Sequence, residues 1–252
     1  MFNASYPRRS ADLGVYVEDA GLSEIADGDV AALRSAGFTV KVDSQFYGLV
    51  VEAQVSREGQ STLVEWTDSD RERFFPVIED AVFGWVLDPV DLAVQKLVAA
   101  ATRRAARDVV DVLLLNLRFA SLAALAIAAP AKLAGSSPTS ILDRVLRNGI
   151  GHPQQDYSLL ALDESVMPFK IGRTKDLLAD AVDCANEEIT QFCDQAEVGF
   201  VYVVPGTKTP QVPRNDRLAM LQRHGISQRG LVPIVGRMNL PQSGTSGGPD
   251  RT

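Results

Sequence analysis

The stretch "DPVDLAVQKLVAAATRRAARDVVDVLLLNL", Asp88 to Leu117, is where the chain changes its period. Upstream of it apolar residues alternate as they do in strands. Within it they recur every three or four residues with few breakers, as on a helix. Asp88 followed by Pro89 reads as a cap and a first helical residue: the carboxylate accepts from orphan backbone N–H groups, and proline has no N–H to leave unpaired. Helix is therefore expected from Asp88 onward, with further helices at about 120–134, 138–148 and 173–194.

Upstream, residues 12–18, 38–43, 47–56 and 60–66 read as strands, and Glu58-Gly59 supplies a hairpin turn between the last two. Between the first two strands, "LSEIADGDVAALRSAGF" predicts a helix that begins near Asp27 or Asp29 and stops at Gly37. A strand, a helix and then antiparallel strands make an α+β fold with a mixed sheet. The expected organisation is an α+β unit over 1–87, a helical unit over 88–195, a small strand or hairpin over 196–235 and a loose tail over 236–252. The hairpin reading rests on "VGFVYVVPGTKTPQVP", and the tail on "NLPQSGTSGGPDRT".

The 252 residues are 46% hydrophobic, enough for a sizeable core, and the formal charge of −7 argues against a general nucleic-acid coat. Cys184 and Cys193 would lie about 13 Å apart on one helix, too far for a disulfide, so reduced thiols in a cytoplasmic protein are expected. The N-terminus has no apolar signal region, and "FASLAALAIAAPAKLAG" is short and interrupted by Pro130, so no membrane association is expected. His152 and His224 have no partners at metal-ligand spacing. The chain contains no P-loop, no G-x-G-x-x-G and no G-x-S-x-G elbow.

Polar residues are sparse in the Asp88 segment, which makes their positions informative. On one continuous helix Lys96, Arg103 and Arg107 fall within about 40° of arc, with Asp111 roughly 60° from Lys96. Such a cationic stripe suits a triphosphate, because lysine and arginine neutralise its charge and arginine offers forked donors. A solvated helix face carrying Arg-Asp pairs has the same pattern, and Arg107 and Asp111, four apart, are placed to pair with each other while Asp108 points elsewhere. In "RRSADLGVYVED" the alternation sets Asp12 and Gly14 on one strand face, and Ser10 or an arginine could approach a phosphate at the strand's start. Glu65, near the end of a strand, would complete an Mg²⁺-binding pair with Asp12 if the two strands were neighbours.

Together, "RRSADLGVYVED", "TLVEW" and the segment from "RFFPVIED" through "RDVVDVLLL" resemble the AbiEii/AbiGii-type nucleotidyltransferase toxin-like family of the DNA polymerase β-like superfamily, over residues 8 to 120 or so. The resemblance implies a nucleotidyltransferase-like mixed sheet followed by a helical domain. Arg8 or Arg9, Ser10 and Asp12 fit the family's carboxylate strand, and Glu65 stands in the place of its third acid. Asp91, Lys96, Arg103, Arg107, Asp108 and Asp111 fit its helical motif. The implied roles are Asp12 and Glu65 as Mg²⁺ ligands, Lys96, Arg103 and Arg107 as triphosphate ligands with Ser10 beside them, and Asp111 orienting an arginine. The implied activity is transfer of a nucleotide from an NTP to a tRNA end or a protein hydroxyl, in a toxin–antitoxin or phage-defence setting with an antitoxin partner. Gly14 stands where the family carries its second carboxylate, and the family's glycine-rich phosphate turn is not matched ahead of Arg8, so the domain is expected to be truncated. The alternative implied by Gly14 is a catalytically inactive homologue that binds a nucleotide, RNA or protein.

Overall fold

The computed structural model describes residues 12–17, 21–46, 50–68, 73–160, 162–163 and 165–226. Its fold is mixed α+β. Strand β1 (Asp12–Val17) is followed by helix α1 (Leu22–Ser35) and strands β2 (Thr39–Phe46), β3 (Val50–Arg57) and β4 (Gln60–Asp68), which form one sheet in the order β1-β4-β3-β2. β1 lies parallel to β4, and the other pairings are antiparallel. The β3–β4 turn is the expected Glu58-Gly59, both with positive φ (54° and 77°), the conformation a two-residue hairpin requires.

One face of this sheet carries Val17, Val51, Ala53, Val55, Val64 and Trp66, buried against Leu22, Ala26 and Val30 of α1. That four-residue spacing explains why α1 begins at Leu22 rather than at Asp27 or Asp29. Leu22 must reach the sheet to complete the apolar stripe, and Asp29 is not a cap but accepts from Trp66 Nε1 at 2.8 Å.

A short hairpin of β5 (Ile78–Asp80) and β6 (Gly84–Val86) leads into the helices. The long helix expected from Asp88 is two helices, α2 (Pro89–Thr102) and α3 (Ala106–Arg118), separated by extended backbone at Arg103 and Ala105. The Asp88 cap is as the sequence indicates, its Oδ1 accepting from Val90 N at 3.0 Å. The break is held from both sides. Asn148 donates to the freed Ala100 carbonyl at 2.9 Å, and Arg103 turns to Asp108, which on a continuous helix would lie about 140° away.

Next come α4 (Leu122–Ala128), α5 (Pro138–Ile150), α6 (Gln154–Ser158) and α7 (Thr174–Ile189), then the paired strands β7 (Val201–Val203) and β8 (Gln222–His224). α7 ends five residues before the sequence reading, so Cys184 lies on it and Cys193 beyond it; both are free thiols. Every residue of α4 is buried, so the alanine-rich run is the central helix of a second apolar core built from α2, α3, α5, α7 and β7. Among the described residues no single helix is long and apolar enough to cross a membrane. The expected tail over 236–252 lies outside the described residues.

Candidate functional site

The parallel pairing of β1 with β4 sets Asp12 beside Leu63 and Gly14 beside Glu65. Residues in register on adjacent strands share a face, so Asp12, Gly14, Tyr16 and Glu65 lie on the side away from α1. The neighbourhood of Asp12 and Glu65 expected from the sequence is therefore present. The same row continues into β3, where Glu52 is in register with Glu65. Sequence reasoning missed Glu52, yet the signal was there: a two-residue turn at Glu58-Gly59 fixes the β3–β4 register by itself.

This polar face meets the helices. Tyr16 donates to Gln95 Oε1 of α2 at 3.2 Å, and Arg107 Nη1 of α3 lies 2.9 Å from Asp12 Oδ2. Lys96 Nζ is 2.9 Å from Asp111 Oδ2, and Arg103 grips Asp108 with two bonds of 2.6 and 2.9 Å. Asp108 and Asp111 are fully buried, whereas their cations are partly exposed. Each cation of the expected stripe is thus already bonded to a carboxylate.

Two expectations about these pairs are corrected. Arg107 reaches across to Asp12 on the sheet instead of along α3 to Asp111, and Asp111 holds Lys96. Asp108 does not point away from the group, because the break at Arg103 brings it back to that side chain. Arg103 therefore takes its partner from the break and Arg107 from the sheet, not from a helical stripe. Arg103 is held above its ordinary pKa, chiefly by its hydrogen bond to Asp108; burial opposes this, and the charges of Asp108, Asp12 and Glu65 add to it.

Asp91 lies elsewhere. Fully buried, it accepts from Phe74 N and Phe75 N at 3.0 Å each and pairs with Lys132 at 2.8 Å, so it fastens the segment before β5 to α2. Asp88 likewise pairs with Lys208 at 2.5 Å, tying the start of α2 to the loop after β7. Ser10, Arg8 and Arg9 lie outside the described residues.

A pair of Mg²⁺ ions needs a carboxylate that bridges them, and Gly14 has no side chain to offer. Among the described residues no group of three or more His, Cys, Asp or Glu side chains converges as a metal site. Asp12 and Glu65 do match the one or two carboxylates with which a single Mg²⁺ is commonly held alongside substrate phosphates. Gly14 is not there for lack of room: a Cβ built on it would meet only Tyr16 Cε2, at 4.0 Å.

No protein-family model, curated protein or solved structure matches the chain.

Proposed function

We propose that this chain is a nucleotidyltransferase-type protein that binds a nucleoside triphosphate where β1 and β4 meet α2 and α3, and that it binds more readily than it transfers. The reading takes the mixed sheet and the helices after Asp88 as a nucleotidyltransferase-like unit followed by a helical one. The observation that carries it is the reach of Arg107 from α3 to Asp12 on the strand that pairs in parallel with that of Glu65, with Tyr16 of the same strand bonded to Gln95 of α2. A triphosphate is a better partner for a forked guanidinium than a single partly exposed carboxylate is, so Arg107 would exchange Asp12 for phosphate oxygens. Asp12 and Glu65 would then hold the one Mg²⁺ that accompanies the nucleotide, which supplies charge neutralisation.

Gly14 favours binding over transfer, because phosphoryl transfer depends on stabilising the attacking and leaving oxygens together. The transfer reading uses the same residues and adds an acceptor, a tRNA end or a protein hydroxyl, in a toxin–antitoxin setting with an antitoxin partner. The deciding experiment incubates the purified chain and its Gly14→Asp variant with each α-labelled NTP, Mg²⁺ and total tRNA, beside a melting curve with NTP. A rise in melting temperature without label transfer by the native chain is the expected result, since a ligand of the native state stabilises it by mass action. Transfer by the native chain would establish the enzyme reading instead. No rise with any NTP would sink both.

A further inference from the structure

A cleft lies at the far end of α3. Its volume is about 590 Å³, within the range of small-molecule sites, and Arg118, Arg214, Arg217, Glu188, Ser121 and Asn116 line it. Arg118 ends α3, eleven residues after Arg107, so roughly 16 Å of helix separates this cleft from the site above.

The cleft reverses the sign of the molecule. In a chain of formal charge −7, three guanidinium groups line it with one carboxylate, Glu188. Asp216 stands 3.8 Å from Arg217 with both side chains largely exposed, a pairing of little worth. Among the described residues no carboxylate or carbonyl holds the Arg214 side chain.

The backbone that carries these arginines is pinned. Gln211 N donates to Tyr202 O of β7 at 2.8 Å, Cys193 N donates to Pro213 O at 2.8 Å, and Leu218 N closes onto Arg214 O at 2.9 Å. Val212 between them is buried in the helical core. Across the cleft, Asn116 spends its Oδ1 on Leu122 N at 3.0 Å, which leaves its amide hydrogens as donors. Glu188 Oε2 accepts from Ser121 Oγ at 3.0 Å, and its remaining acceptor capacity suits a hydroxyl group.

We infer that this cleft binds a small phosphomonoester that also carries hydroxyl groups: Arg214 and Arg217 take the phosphate and Glu188 takes a hydroxyl, while Arg118 is held by the Val166 carbonyl at 2.6 Å. Fork-shaped donors on a fixed loop match phosphate oxygens in pairs, and a carboxylate set beside them repels a second anionic group. The inference does not depend on the proposed function, since none of its residues belongs to that site.

The test is calorimetric titration of the full chain with ribose 5-phosphate, with inorganic phosphate and ribose as separate arms. Ribose 5-phosphate should bind saturably and at least about tenfold more tightly than inorganic phosphate, and ribose should not bind. Arg214→Ala and Arg217→Ala should each weaken it by about tenfold or more, and Arg214→Lys, which keeps the charge and loses the fork, by a smaller factor. Glu188→Gln should weaken ribose 5-phosphate and leave inorganic phosphate unchanged or tighter. Arg107→Ala should change nothing here, which separates this cleft from the first site. Melting curves of each variant establish that it is folded. Absence of saturable binding, or binding indifferent to both arginine-to-alanine changes, overturns the inference.

Discussion

Arg107 Nη1 of α3 and Asp12 Oδ2 of β1 lie 2.9 Å apart, an ion pair that joins the first strand of the sheet to the third helix. Both side chains remain a third or so exposed. Water and salt therefore screen the pair, and its contribution to stability is at most about 1 kcal/mol.

That screening separates its structural effect from its functional one. Asp12→Asn should leave the melting temperature within a few degrees of the native value, yet it releases Arg107 for phosphate. Measured in EDTA, Asp12→Asn should bind NTP several-fold more tightly than the native chain, and Arg107→Ala several-fold more weakly. Unchanged affinity in both would mean that phosphate does not reach Arg107.

Gly14→Asp should fold, because the new Cβ meets nothing closer than 4.0 Å. Without metal the variant should be less stable by about 1 kcal/mol, since a carboxylate would sit in register with Glu65 and two residues from Asp12. Mg²⁺ should restore that loss in the variant and leave the native melting temperature where it is. A variant whose melting temperature ignores Mg²⁺ would show that the carboxylates of β1 and β4 cannot share an ion.

Asp91 belongs to the architecture. Asp91→Ala would strand Lys132, which is 5% exposed, and orphan the backbone N–H groups of Phe74 and Phe75. Removing one partner of a buried pair costs about 3–5 kcal/mol, and urea denaturation should return a loss of that size. Asp91→Asn, which keeps an acceptor, should cost less. A loss below about 1 kcal/mol in Asp91→Ala would contradict this role.

His224 packs against Phe75, ring centroids 4.5 Å apart and planes tilted by 39°, and burial holds its pKa below the ordinary histidine value. Below about pH 6.5 the unfolded chain takes up a proton that the native side chain resists, so this residue lowers stability as the pH falls and has no such effect above that value. The melting temperature should therefore drop between pH 7.5 and 5.5 by more in the native chain than in His224→Gln. Equal slopes would remove His224 as the cause.

The α+β class, the Glu58-Gly59 turn, the Asp88-Pro89 helix start and the strand carrying Asp12 were all legible in the sequence. Each depends on neighbours within a few residues: a period, a cap, a pair of positive φ angles. The side-chain alternation in β3 and β4 and that turn also contained the Glu52–Glu65 register, a local relationship that only had to be counted.

What the sequence left open required contacts across long chain separations. No glycine or proline marks the break at Arg103; it depends on Asn148 from α5 and on Asp108 being turned back. Whether Arg107 serves Asp111 or Asp12 depends on where β1 is carried by its parallel pairing with β4, some fifty residues along the chain. Asp91 was grouped with Lys96 and Arg103 by the resemblance alone, and only burial against Lys132 separated a fastening from a site. The sequence alone determined which residues are charged and which faces are apolar. The tertiary structure decided which charge meets which, because an ion pair is selected by distance and burial together.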